Sequence, residues 1–158
     1  MARRRRLGPE REKGSPMWVA SRGVSWFAVD GPEQAEEMFW RLASDPPRQW
    51  ALEFGHSDRT VTDPRDLDDG DVAWSLRAEV NLLVGRAVLQ WLPDDMIGIE
   101  PGVPACHVPV EIWEEAPPTP AIVRPADQAR VTPGTACRAV VEYVTTGKRP
   151  TCVEWVAG

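Results

Sequence analysis

The residues best suited to chemistry are a run of aspartates, a cysteine–histidine pair and a short cluster of glutamates. The segment HSDRTVTDPRDLDDGD (56–71) holds Asp58, Asp63, Asp66, Asp68, Asp69 and Asp71. Closely spaced carboxylates suit a hard cation such as calcium, and an EF-hand loop needs acids at positions 1, 3 and 5, Gly at 6 and Glu at 12. Counted from Asp66, Gly70 falls at position 5 and no Glu stands at 12. The segment therefore reads as a solvated loop or as a docking surface for a basic partner. Cys106-His107 offers a nucleophile beside a base, but neighbours on a strand point apart, and neither a G-x-S-x-G elbow nor a cysteine-protease signature is present. His56 is the other histidine. Glu111, Glu114 and Glu115 have the residue types of a glycosidase acid pair, without the cleft residues such a site uses. No G-x-G-x-x-G or G-x-x-x-x-G-K-[ST] loop occurs. The sequence supports no catalytic residue, no metal site and no cofactor.

Charge is more informative. Residues 1–22 hold seven basic and two acidic side chains, whereas the remaining residues hold 11 basic and 22 acidic ones, a net −11. An acidic body repels nucleic acid and anionic membranes and attracts basic partners. Arg3–Arg6 precede no apolar stretch of the kind an export signal needs. Residues 1–16 are too polar to offset chain entropy, so a disordered Arg-rich tail is expected there, followed by one domain over 17–158. Met17 as the true start is a second reading of the same tail. No run of about 18 apolar residues suggests a membrane span. Three cysteines without a C-x-x-C pair argue against a disulfide scaffold or structural zinc. Eight tryptophans default to core packing, and Trp113, beside Glu114 and Glu115, is the best candidate for an exposed interface anchor.

The elements that would position these residues form an α+β pattern. A hairpin is expected over Trp18–Val29, turning at Ser21-Arg22-Gly23. Asp30-Gly31-Pro32-Glu33 starts a helix whose apolar face is Ala35, Met38, Phe39 and Leu42, and Asp45-Pro46-Pro47 ends it. Trp50–Phe54 reads as a short strand closed by Gly55. Val72–Val80 and Gly85–Leu92 follow as strands, the first with Trp74, Leu76, Ala78 and Val80 on one face. Met96–Ile99 and Val108–Trp113 are further short strands, and the Pro-rich 116–125 is extended. A second helix is capped by Thr132 and carries Ala136, Ala139, Val140, Tyr143 and Val144 on its apolar face. Gly147 and Pro150 stop it, and Thr151–Val156 returns as a strand. The sum is an antiparallel sheet with two helices packed on one face.

The block from Ala136 to Trp155 (ACRAVVEYVTTGKRPTCVEW) resembles the ending of an immunity-protein family of bacterial polymorphic toxin systems, the one numbered first in the Imm series. Its carriers are the T-G-K-R-P turn with Gly147, Arg149 and Pro150, and the T-C-V-E-W strand ending at Trp155. Leu76–Val80, the strand around Ala87–Trp91 and Val108–Glu111 fall where that family has strands. The resemblance spans about residues 17–157, and the arginine tail departs from it. These motif residues are expected to define the fold rather than a binding site. The resemblance implies a cytoplasmic, non-enzymatic protein that occludes a cognate toxin domain, typically a basic nuclease or nucleic-acid deaminase. The acidic contacts expected for that partner are Asp63, Asp66, Asp68, Asp69 and Asp71; Asp94, Asp95 and Glu100; and Glu111, Glu114 and Glu115, with Trp113 as anchor. The readings set against it are a small metal-dependent or hydrolytic enzyme and a nucleic-acid-associated regulator using the tail.

Overall fold

The computed structural model describes residues 16–158, so the expected disordered tail lies outside the described residues. Seven strands form one sheet in the order β2-β1-β3-β4-β5-β6-β9, with every neighbouring pair antiparallel. They are β1 (Met17–Arg22), β2 (Ser25–Val29), β3 (Gln49–Ser57), β4 (Ala73–Asn81), β5 (Arg86–Trp91), β6 (Met96–Ile99) and β9 (Glu154–Ala157). A separate hairpin pairs β7 (Val110–Ile112) with β8 (Ile122–Arg124). Helix α1 (Pro32–Ser44) joins β2 to β3, and α2 (Pro133–Thr146) precedes β9.

Both helices pack on the same face of the sheet. Alternate strand residues Ala20, Val29, Leu52, Phe54, Leu76, Ala78, Val80, Ala87 and Leu89 meet Ala35, Met38, Phe39 and Leu42 of α1 and Ala136, Ala139, Val140, Tyr143 and Val144 of α2 in one apolar core. The expected helical faces are thus the buried ones. Thr132 caps α2 by accepting from the Thr135 N–H, and Gly147 ends it at φ +70°, where a side chain would be strained.

The other face of the sheet is covered by loops rather than helices. The 58–72 segment lays Leu67 and Val72 on Met17 and Val19, with Trp26, Ala28, Val61 and Trp74 around them. Farther along, the 103–131 excursion, including β7 and β8, packs Cys106, Val110, Ile112 and Ala129 on Ala51, Val88 and Ile97. Trp113 joins the flank of β3 that β1 leaves free: its carbonyl accepts from Ala51 N–H and its N–H donates to Gln49, both at 2.9 Å.

Three sequence expectations change. The strand beginning near Trp50 does not close at Gly55 but runs to Ser57. Gly55 stands where the register with β4 shifts, and a Cβ there would lie 2.6 Å from the Ala73 carbonyl oxygen. That bulge inserts Ser75, so Trp74 leaves the face of Leu76, Ala78 and Val80 and joins the loop-covered side. The hairpin turn lies at Gly23-Val24, one step later than expected, with Gly23 at φ +58°.

Candidate partner-binding surface

About half of the sequence-picked carboxylates are engaged by neighbouring groups. Asp63 caps the short turn at Pro64 and forks onto Arg65, whose hydrogen bonds hold its carboxyl below the usual range. Asp69 accepts from the Trp74 indole N–H at 2.9 Å. Asp71 accepts from the Asp68 N–H at 2.8 Å and from Arg59 at 3.0 Å, and its carboxyl is lowered, chiefly by the Asp68 bond. Asp95, at φ +52° in the β5–β6 turn, accepts from Gln90. Glu100 lies at the start of α2, where it accepts from Thr132 N–H, Thr132 Oγ1 and Thr135 Oγ1 at 2.7–2.8 Å. Partial burial pushes its pKa up, but these bonds outweigh burial and hold it below the ordinary value. Asp66, Asp68, Asp69, Asp94, Asp95, Glu111, Glu114 and Glu115 are exposed.

Trp113 is not the exposed anchor expected. It is half-buried, edge-on to Trp50 at 5.8 Å between ring centroids. None of the eight tryptophans is exposed: Trp50 is buried and the other seven are half-buried. The large apolar side chains that do face solvent are aliphatic, led by Val24 (85% exposed), Leu83 and Val123.

Sheet order decides which acids share a face. The 58–72 loop covers the β1–β2 end, and the turn with Gly23 packs against the backbone of Glu114. Glu111 follows on β7, beside β3 and β4 and tied to Asn81 through its carbonyl. Asp66 and Asp68 lie on the segment over the β1–β2 end, and Glu111, Glu114 and Glu115 on the excursion beside β3 and β4, all exposed on the segments that cover the helix-free side. Asp94 and Asp95 sit at the opposite end, by β6 and β9.

Beneath that acidic side lies a buried ion network that charge patterning did not single out. Glu79, with its side chain 1% exposed, accepts from Arg124 at 2.6 and 2.8 Å and pairs with Arg77 at 2.9 Å. Arg77 also reaches Glu53 at 2.8 Å and Glu114 at 2.7 Å. Burial lowers the Arg77 pKa, but Glu79 and the hydrogen bonds to Glu114 and Glu53 overcome it and raise it above its ordinary value. The visible signal was alternation: Glu53, Arg77 and Glu79 occupy the positions of β3 and β4 that point away from the helices.

The other groups singled out for chemistry do not converge. Cys106 is buried and His107 exposed, so the pair does not converge. Burial pushes the Cys137 thiol up to about 11, away from the thiolate that a nucleophile requires. A cleft of about 630 Å³ has Trp18 and His56 in its wall, and His56 Nδ1 lies 3.2 Å from the Tyr143 hydroxyl. Among the described residues no group of three or more His, Cys, Asp or Glu is placed to hold a metal. No helix among them is long and apolar enough to cross a membrane.

A family model described as immunity protein Imm1 matches residues 27–157, from β2 through β9. The chain belongs to the Imm1 immunity-protein family. No curated protein matches it. The Imm1 match takes in both helices and the Gly147–Trp155 ending. In that ending Gly147 closes α2, and Pro150 is buried with its carbonyl accepting from the Trp155 indole N–H at 2.8 Å, while Arg149 is exposed. Membership of an immunity-protein family fits a toxin-inhibiting role and implies a toxin as partner.

Proposed function

We propose that this Imm1 protein neutralises a cognate polymorphic toxin by binding it, without catalysis, in the cytoplasm. The family match carries the reading. The charge of residues 23–158, with 22 acidic against 11 basic side chains, supports a basic toxin domain such as a nuclease or nucleic-acid deaminase, because enzymes that hold phosphate backbones present positive surface. Carboxylates placed over that surface occupy the substrate's place and speed encounter.

The contact side in this reading is the helix-free one, through Asp66, Asp68, Glu111, Glu114 and Glu115. Asp63, Asp69 and Asp71 hold the loop in shape, and Trp113 stiffens the Glu114–Glu115 segment from behind. Asp94, Asp95 and Glu100 lie outside the contact. The test is co-expression with the toxin domain encoded by the neighbouring gene. The full chain restores growth, and replacing Asp66 and Asp68 with Asn weakens toxin binding and flattens its salt dependence. Unchanged affinity and salt slope in that variant would remove the loop from the interface, and failure of the full chain to restore growth would remove the function.

A further inference from the structure

On the helix-free face the β1–β2 turn stands opposite the Glu114–Glu115 segment. Between them a strip of sheet stays open as a cleft of about 250 Å³, walled by Gly23 and the Glu114–Glu115 pair and floored by Ala51, Glu53 and Arg77. Elsewhere on this face the chain covers its own apolar strand residues.

We propose that this cleft seats one arginine or lysine side chain of the toxin, a deepening that rests on the toxin-binding reading above. Four carboxylates (Glu53, Glu79, Glu114, Glu115) surround two guanidinium groups (Arg77, Arg124). Glu79 is buried and joined to both arginines, so the surplus negative charge lies at the mouth. There the Glu53 side chain is 28% exposed and that of Glu114 52%, and Glu115 makes no ion pair among the described residues. Arg77, only 12% exposed and held by three carboxylates, is not available to an anion, which turns the cleft against phosphate.

The geometry also suits the shape of a basic side chain. Such a chain has an apolar stem and a cationic head. Val24, next to Gly23 at the hairpin tip and 85% exposed, offers apolar surface at the entrance for the stem. Arg77 fixes Glu53 and Glu114 before the partner arrives, so little side-chain ordering remains to be done on binding. A second copy of this chain is disfavoured as occupant, because it would bring the same negative face against this one.

The experiment measures the dissociation constant of the full chain for the toxin domain encoded by the neighbouring gene, for wild type, Glu115→Gln, Glu115→Lys and Asp94→Asn. Glu115 is exposed and makes no ion pair among the described residues, so the protein is expected to keep its melting temperature when it is replaced. Glu115→Gln is expected to weaken binding about tenfold and Glu115→Lys further, while Asp94→Asn, an equal charge change at the far end of the sheet, changes it less than about twofold. In a scan of the toxin's basic residues, one arginine or lysine then loses its effect when Glu115 is already replaced. Wild-type affinity in Glu115→Lys, or equal losses in Glu115→Gln and Asp94→Asn, overturns the cleft while leaving the function standing. Absence of wild-type binding overturns the function itself.

Discussion

Single residues show how poorly composition distinguishes an available carboxylate from an engaged one. Asp69 and Asp71 stand in the same acidic run as Asp66 and Asp68, but they hold Trp74, Arg59 and the Asp68 backbone. Those partners come from chain bends that spacing does not encode. Glu79 was hidden for the opposite reason: it lies in an otherwise apolar strand, and only the sheet brings Arg77 and Arg124 to it. Removing one partner of a buried ion network leaves uncompensated charge, so Glu79→Ala is expected to cost about 3–5 kcal/mol in urea unfolding. A loss within 0.5 kcal/mol, the scale of surface substitutions, would show that the network contributes nothing to stability. Glu100 contributes to the pH response. Its folded pKa lies below the ordinary 4.5, so the stability it contributes is full above that value and is lost as pH falls through the folded pKa. Glu100→Gln should therefore lower the melting temperature at pH 7 and converge on wild type in acid below the folded pKa. A gap of constant size from pH 7 into that acid range would mean that the Thr132 and Thr135 bonds do not depend on the ionised carboxylate.

Elements were far more legible. Periodicity located both helices and their buried faces, because a run such as Ala35, Met38, Phe39 and Leu42 can bury itself in only one way. Strand pairs with tight turns were equally readable. What failed was local irregularity: the Ser75 bulge moved Trp74 across the sheet, and a glycine taken as a strand end proved to be a point of close approach. The covering layer was unreadable too, since Leu67 and Val72 are isolated apolar residues in a polar stretch. Two glycines separate these causes. Gly147→Ala makes only an ordinary van der Waals contact, with Trp18 Cη2 at 3.8 Å, and is strained only by its positive φ, so about 1–2 kcal/mol should be lost. Gly55→Ala drives a methyl group to 2.6 Å from a backbone oxygen and should cost clearly more. Equal losses in denaturant titrations would mean that the bulge relaxes freely.

On the scale of the whole molecule, the sheet separates two tasks. One face buries the apolar sides of both helices together with Val153 of the Gly147–Trp155 ending, all within the span that matches the Imm1 family. The other carries the buried network in which Arg77 ties Glu53, Glu79 and Glu114 together, with the proposed contact carboxylates on the segments that cover it. This division explains why the recognisable motif lies apart from the proposed contact surface: a fold signature must pack, and a partner surface must not. The decisive measurement is a calorimetric titration of the full chain against the toxin domain encoded by the neighbouring gene at low and high salt, with toxin activity followed in the same mixtures. Neutralisation by an acidic surface requires one-to-one binding that weakens steeply with salt, and toxin activity that falls in proportion to the complex formed. No binding, or toxin activity abolished by far less than one equivalent of this protein, would contradict inhibition by occlusion.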